Sequence, residues 1–361
     1  MDIAIIGAGP IGGYAGYLLA KAGHSVTLYE NHPGVGCPIQ CTGILTADYD
    51  TFGFPLDSYL VNVIETVEVY TPTGKLTVKD KNYIVDRTSF DRFFVEKAVQ
   101  EGAKLFVNNS FTGKNGQGII IRDTVNKEDK VVTPEIIIGT DGPLSPTAKA
   151  FNFYHPQREN FYGIQATVEG NFEPHTIKTY FGNDVCPGLF AWIVPESSTR
   201  ARAGLATTKN SKHYFDQFMR EHHFVAKEIQ AGAIPIYHPQ QQLQSGNCYL
   251  AGDAATYVKA TTLGGLVPGL QQAQILADCI VKGKVYEKEI WSVRRKMWLH
   301  LQLHKIFRKC NDKDWGRLIH YIERSGVTKV LEEHTRDNPF PIVLKALLKE
   351  PRFLLFLKYL W

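Results

Sequence analysis

Residues 2–30 constrain this chain more than any other stretch. Ile3-Ala4-Ile5-Ile6 is a short apolar run suited to a buried parallel strand. It leads into Gly7-Ala8-Gly9-Pro10-Ile11-Gly12. Tyr14, Leu18, Leu19 and Ala22 then recur at helical spacing until Gly23 stops the pattern. Ser25 to Tyr29 reads as a second strand, with Glu30 at its end. Strand, G-x-G-x-x-G, helix, strand, acid is the order a bound dinucleotide requires. Gly7 permits the tight turn, Gly9 lets the backbone approach a pyrophosphate, and Gly12 lets the helix lie close to the strand. The helix start, with Pro10 in its first turn, offers unpaired N–H groups and a positive dipole end to phosphates. Glu30 can accept hydrogen bonds from a ribose. An acid there argues against a 2′-phosphate, so FAD or NAD is favoured over NADP.

A chain of 361 residues can bury a large core. The nucleotide-binding strand begins at residue 2, which leaves no room for a signal peptide, and no run of about 20 uncharged apolar residues could span a membrane. The six cysteines are scattered, as expected in a reducing cytoplasm. The net charge is only +4, but residues 286–361 carry 16 Lys/Arg against 9 Asp/Glu, an excess of +7. A basic end on a slightly acidic body points either to an anionic surface or to ordinary solvation. No nucleic-acid motif accompanies it.

The order of elements predicts an α/β fold. A discontinuous Rossmann-like nucleotide domain spans 1–59, 83–150 and 246–285. A mainly antiparallel sheet domain, drawn from 60–82 and 151–245, is inserted into it, and 286–361 forms a C-terminal helical region. Residues 60–85 alternate around a Pro72-Thr73-Gly74 turn and read as a hairpin. Thr88 or Ser89 can cap a helix through Phe93, Phe94 and Ala98. Ile136-Ile-Ile138 is a buried strand ending at Asp141-Gly142. Residues 151–245 are rich in aromatics, interrupted by a helix over about 212–227. Nucleotide-binding character returns at Cys248 to Ala251, the turn Gly252-Asp253, and a helix opened by Gly264-Gly265.

One fingerprint followed late by Gly-Asp and a glycine-pair helix start suits FAD. The first helix takes the pyrophosphate. Asp253 can bond ribityl or phosphate-side groups. N–H groups of the second helix can face the flavin ring and stabilise negative charge on its reduced form.

On these residues the chain resembles the geranylgeranyl reductase family, flavoproteins of the p-hydroxybenzoate-hydroxylase-like fold, with the archaeal digeranylgeranylglycerophospholipid branch closest in pattern. Besides Gly7, Gly9, Gly12 and Glu30, the family's Arg-x-x-Phe-Asp element appears as Arg87 to Asp91. Its Asp-Gly and Gly-Asp elements appear as Asp141-Gly142 and Gly252-Asp253. Two further segments are more discriminating. Gly36 to Gly43 looks like the family's cysteine segment, with Cys41 as its cysteine. Phe190-Ala-Trp192-Ile-Val-Pro195 looks like its aromatic-x-Trp-x-Phe-Pro substrate motif, with Val194 replacing Phe. The resemblance covers roughly the first 285 residues. It implies an FAD-dependent reductase that saturates C=C bonds of isoprenoid chains, with Cys41 as catalytic residue and Phe190, Trp192 and Pro195 on the substrate. With a single dinucleotide fingerprint, the external electron donor is either ferredoxin-like or a reduced nicotinamide.

The chain also departs from that pattern. Lys259-Ala260 stands where Asp-Pro is expected, and Leu266 where a third glycine is. Lys259 has two readings: it reaches the cofactor or a substrate phosphate, or it lies in solvent. Cys41 either donates a proton near the flavin or is a small buried hydrophobe. Cys37 and Cys41 lack a second nearby pair, and no metal site is expected. His300 and His304 share a helical face and read as surface or packing residues. The aromatic, cationic tail from Ile342 to Trp361 suits either a membrane interface or a lid over the substrate cavity. The expected location is therefore cytoplasmic, with peripheral contact at the inner face of the membrane. Two other functions fit the same fold. One is a flavin monooxygenase; the other is a non-enzymatic prenyl-lipid carrier.

Overall fold

The computed structural model describes residues 1–116 and 118–360. Its nucleotide-binding half is built on a six-stranded sheet. In spatial order the strands are Gln244–Ser245, Cys248–Leu250, Ile136–Gly139, Asp2–Ile6, Ser25–Tyr29 and Lys104–Phe106. All neighbours are parallel except the antiparallel edge pair Gln244–Ser245 and Cys248–Leu250. Covered on both faces, these strands are near-continuous apolar runs, and Ile3, Ile5, Leu28 and Ile138 are fully buried. The helices Pro10–Lys21 and Leu266–Lys282 pack against each other beside this sheet.

The second sheet has eight strands in the order Lys227–Pro235, Asn160–Glu169, Arg200–Thr207, Ala191–Pro195, Thr176–Tyr180, Leu60–Thr71, Gly74–Val85 and Ile44–Thr46. It is antiparallel apart from the parallel pair Thr176–Tyr180 and Leu60–Thr71. The hairpin forms around Pro72-Thr73 as its alternation predicts. Ile44–Thr46 adds an eighth strand from outside the segments 60–82 and 151–245, because it pairs with Asn82 to Ile84. The helix expected over 212–227 is shorter, Ser211–Glu221. Its remainder turns and enters the edge strand, where pairing with Asn160–Glu169 overrides local helical preference. A separate three-stranded sheet (Asn109–Asn115, Gly118–Asp123, Glu128–Val132) occupies the polar stretch before Ile136.

From Tyr286 the described residues are helical: Trp291–Phe307, Asp312–Arg324, Val327–Glu333, Pro339–Lys349 and a 3-10 segment Pro351–Leu360. Trp361, the final residue of the aromatic tail, lies outside the described residues. No helix among those described is long and apolar enough to cross a membrane.

Candidate active site

The two sheets enclose a cavity of about 580 Å³, well within the range of small-molecule sites. At one end its wall is nucleotide turn: Gly9, Pro10, Thr140, Gly142, Gly252 and Asp253. At the other it is apolar: Val69, Val78, Phe181, Phe190, Trp192 and Val194.

The glycines at the first end have separate physical jobs. Gly7 has φ +95°, and a Cβ there would meet the Thr140 carbonyl at 2.7 Å. A Cβ on Gly12 would collide with the Gly7 carbonyl, so Gly12 sets the approach of helix to strand. Gly9 faces open space, with no atom within 4 Å of where its Cβ would be. A phosphate can therefore approach its backbone at the start of Pro10–Lys21, where N–H groups are unpaired. Glu30 stands at the strand end and accepts from the Ala8 N–H at 2.9 Å and from the His32 N–H at 3.1 Å. It thus braces the glycine turn and does not itself line the cavity.

Asp253 borders the cavity, and a Cβ on Gly265 would come within 2.9 Å of its Oδ1. Glycine at 265 keeps that carboxylate close to the start of Leu266–Lys282. Burial pushes the Asp253 carboxyl up; Arg87 and Arg158 act against the shift. Gly252 takes φ +66°, and its N–H donates to Gln272 Oε1 at 2.7 Å. Asp141 does not line the cavity. Its carboxylate accepts from Ser145 Oγ and from the Thr147 N–H at 2.8 Å, capping a short helix, while Thr140 and Gly142 beside it form the wall. Arg158 ties these turns together: its buried guanidinium donates to the carbonyls of Pro143 (2.6 Å), Asp253 (2.9 Å) and Ala254 (3.1 Å). Neither Arg158 nor Gln272 was expected, for neither sits in a local pattern.

Arg87 lines the cavity and makes a fork to Asp91, with both N–H···O distances 2.9 Å. Burial works against its charge, but Asp91 and the adjacent Cys41 outweigh it, and the guanidinium is held above its ordinary range. Cys41 borders the cavity beside this cation. Its Sγ accepts from the Gly43 N–H at 3.3 Å, and its carbonyl accepts from Arg202 at 2.7 Å. Among the described residues all six cysteines are free and no metal-ligating cluster occurs.

Strand alternation explains the far end. In Phe190 to Pro195, Phe190, Trp192 and Val194 turn to the cavity. The Phe190 and Trp192 rings meet edge to face at 6.0 Å. Trp192 Nε1 is buried with no partner. Pro195 lies off the cavity, where its carbonyl accepts from Asn62 at 2.9 Å.

Lys259 fits neither reading drawn from the sequence. It is 2% exposed, and its ammonium donates to Asp337 in the C-terminal region. The glycine-like backbone also falls on the other side of the pair from Leu266. Leu263 has φ +59°, whereas Leu266 is simply the first helical residue and lines the cavity. His300 and His304 are buried packing residues; His300 Nδ1 meets Thr261 Oγ1 at 2.6 Å, and the His304 ring stands edge to face on Phe161.

What these residues can hold in common is a dinucleotide cofactor shared between two helix starts. The open approach at Gly9 and the cradle at Gly265 fit FAD. Residues 5–59 match the NAD(P)-binding Rossmann-like domain family. The chain is 28% identical to digeranylgeranylglycerophospholipid reductase 2 of Methanothermobacter thermautotrophicus, over 91% of this chain and 93% of that protein. It is 26% identical to the digeranylgeranylglycerophospholipid reductase of Methanocaldococcus jannaschii, over 93% and 88%. Its fold matches the crystal structure of a geranylgeranyl bacteriochlorophyll reductase-like protein from Thermoplasma acidophilum with TM-score 0.84 and 20% identity, covering 100% and 99% of the two chains. A probable FAD-dependent monooxygenase from Pseudomonas aeruginosa shares the fold more loosely, with TM-score 0.65 and 16% identity over 89% and 99%. Over nine-tenths of its length the chain is thus similar to proteins named digeranylgeranylglycerophospholipid reductase.

Proposed function

We propose that this protein is an FAD-dependent reductase that saturates C=C bonds in geranylgeranyl chains of lipid precursors, or in related isoprenoids. The observation that carries this reading is the cavity of about 580 Å³ that joins the nucleotide turn to the Phe190–Trp192 wall. An alkene offers nothing to hydrogen-bond, so shape and apolar contact must position it. Phe181, Phe190, Trp192 and Val194 supply that contact. Pro195 fixes the end of their strand.

When bound and reduced, FAD would supply hydride to one alkene carbon. The glycine turn at Gly7, Gly9, Pro10 and Gly12 would hold the pyrophosphate end, Glu30 braces that turn, and Asp253 with Gly264-Gly265 would hold the flavin end. Cys41 donates the proton to the other carbon. The neighbouring Arg87 guanidinium stabilises the thiolate left behind, and the thiol is restored from water. The C=C bond becomes CH–CH, with one hydride and one proton added. The chain carries a single dinucleotide fingerprint, so the electrons would come from an external donor, either a ferredoxin-like protein or a reduced nicotinamide.

Anaerobic incubation of dithionite-reduced protein with a geranylgeranyl ether lipid tests this. The expected product gains two hydrogens per reduced bond by mass spectrometry. No gain sinks the reading. Hydroxylated product formed with oxygen consumption would mark a monooxygenase instead, and a purified protein without flavin absorbance would mark a carrier.

A further inference from the structure

The last two helical segments carry apolar side chains that the other described residues leave uncovered. On Pro339–Lys349, Leu344 is 61% and Leu348 75% exposed, one turn apart. On Pro351–Leu360, Leu354, Leu355 and Leu357 are exposed as well. Exposed leucines scattered singly are ordinary, but here five lie within 14 residues. Cations are interleaved with them: Lys345 and Lys349 follow Leu344 and Leu348, and Lys358 follows Leu357. Glu350, the single acid from 339 to 360, is buried and neutralised by Arg352 at 2.7 Å.

We infer that this face docks on an anionic lipid bilayer, with the leucines in the acyl boundary and the lysines among the head groups. A second copy of the chain fits the face poorly. Two-fold pairing would bring two sets of the same cations, Lys345, Lys349 and Lys358, into one interface. The helix Pro339–Lys349 also connects this face to the site, because Ile342 on the same helix lines the cavity. One helix thus separates bilayer from cavity, so the docking face adjoins the space that a prenyl chain leaving the membrane would enter. That last step rests on the reductase reading; the docking itself does not.

The test is co-sedimentation of the whole chain with phosphatidylglycerol or phosphatidylcholine vesicles, beside the variants L348E/L355E and K345E/K349E. These side chains project into solvent, so unchanged melting temperatures are expected. Wild type should bind phosphatidylglycerol vesicles and bind phosphatidylcholine more weakly. L348E/L355E should lower the partition coefficient by at least about tenfold, and K345E/K349E should abolish the preference for phosphatidylglycerol. L348E/L355E should keep wild-type turnover on detergent-dispersed prenyl lipid and lose it on vesicle-embedded lipid. The inference is overturned if wild type ignores phosphatidylglycerol vesicles, if L348E/L355E binds them equally well, or if sedimentation velocity shows a dimer that L348E/L355E dissolves. Normal docking by a protein that reduces no prenyl lipid in any form would overturn the reductase reading and leave the docking face standing.

Discussion

The Lys259 ammonium and the Asp337 carboxylate form an ion pair inside the protein, with side chains 3% and 2% exposed. Lys259 sits in the turn before Gly264-Gly265, and its carbonyl accepts from the Leu263 N–H at 2.8 Å. Asp337 precedes the helix Pro339–Lys349 and also accepts from Thr46. One contact therefore fastens the C-terminal region to the turn before the helix Leu266–Lys282. Removing either partner leaves a buried, uncompensated charge, at a cost of roughly 3–5 kcal/mol. K259M and D337N should each destabilise by about that amount in urea unfolding. The double variant K259M/D337L should be milder than either single change.

That pair, with two buried histidines, also makes the fold acid-sensitive. Burial, reinforced by the charge of Lys259, drives His300 down to about 3, and burial drives His304 to about 4. Both start from 6.5. Their native forms resist protonation while the unfolded chain takes it up, so stability is full above pH 6.5 and falls as the pH drops towards those values. Each contributes a slope of up to about 1.4 kcal/mol per pH unit. The Asp337 carboxyl is buried, but Lys259 outweighs burial and holds it below its ordinary value. Its contribution is present above the unfolded carboxylate range and is lost only on further acidification. Chemical denaturation between pH 7 and 4 should show the decline, and H304F should flatten it. An equal slope in H304F would refute the assignment to His304.

Local periodicity made much of this fold legible. The strand–turn–helix at residues 2–30, the hairpin about Pro72-Thr73 and the cavity-facing alternation of Phe190, Trp192 and Val194 are all written within a few residues of one another. Lys259 and Asp337 are 78 positions apart, and neither position carries a pattern that names its partner. Arg158 and Gln272 are likewise isolated polar residues whose partners arrive from distant turns. Motif reading also gave Asp141 a cofactor role, whereas its carboxylate spends its bonds on Ser145 and Thr147. Leu263 shows the limit from another side. Its left-handed backbone is forced by the turn between Lys259 and Gly264, against the ordinary preference of leucine.

Cys41 should matter to turnover and not to cofactor retention. It borders the cavity next to Arg87; its Sγ accepts from the Gly43 N–H, and its carbonyl, which C41A would keep, accepts from the Arg202 guanidinium. C41A should lower kcat by about 10²–10⁴ and leave flavin absorbance intact. C41S should recover part of that loss. Full activity in C41A would assign the cysteine to packing alone.

Trp192 should govern lipid binding. It presents an apolar face to the cavity, and its Nε1 makes no hydrogen bond that a phenyl ring would lose. W192F should therefore keep most activity. W192A should raise KM for the prenyl lipid by roughly 10–100-fold, as expected when about 2–3 kcal/mol of apolar contact is removed. Steady-state kinetics on detergent-dispersed substrate reads the difference. An unchanged KM in W192A would place the lipid elsewhere in the cavity.

The two glycines of the first turn should fail in different ways when each gains a methyl group. A Cβ at Gly12 meets the Gly7 carbonyl, which belongs to the fixed backbone of the turn, so helix and strand must separate. G12A should lower the melting temperature of the apoprotein, with the flavin lost as a consequence of that opening. A Cβ at Gly9 meets no protein atom within 4 Å, so G9A should melt with the wild-type apoprotein. It should nevertheless bind FAD at least about tenfold more weakly, because the methyl group occupies the space through which the pyrophosphate reaches the backbone. Calorimetry of the apoproteins and titration with FAD separate the two effects. Wild-type FAD affinity in G9A would show that the pyrophosphate does not pass over this turn, and that the cofactor enters the cavity by another edge.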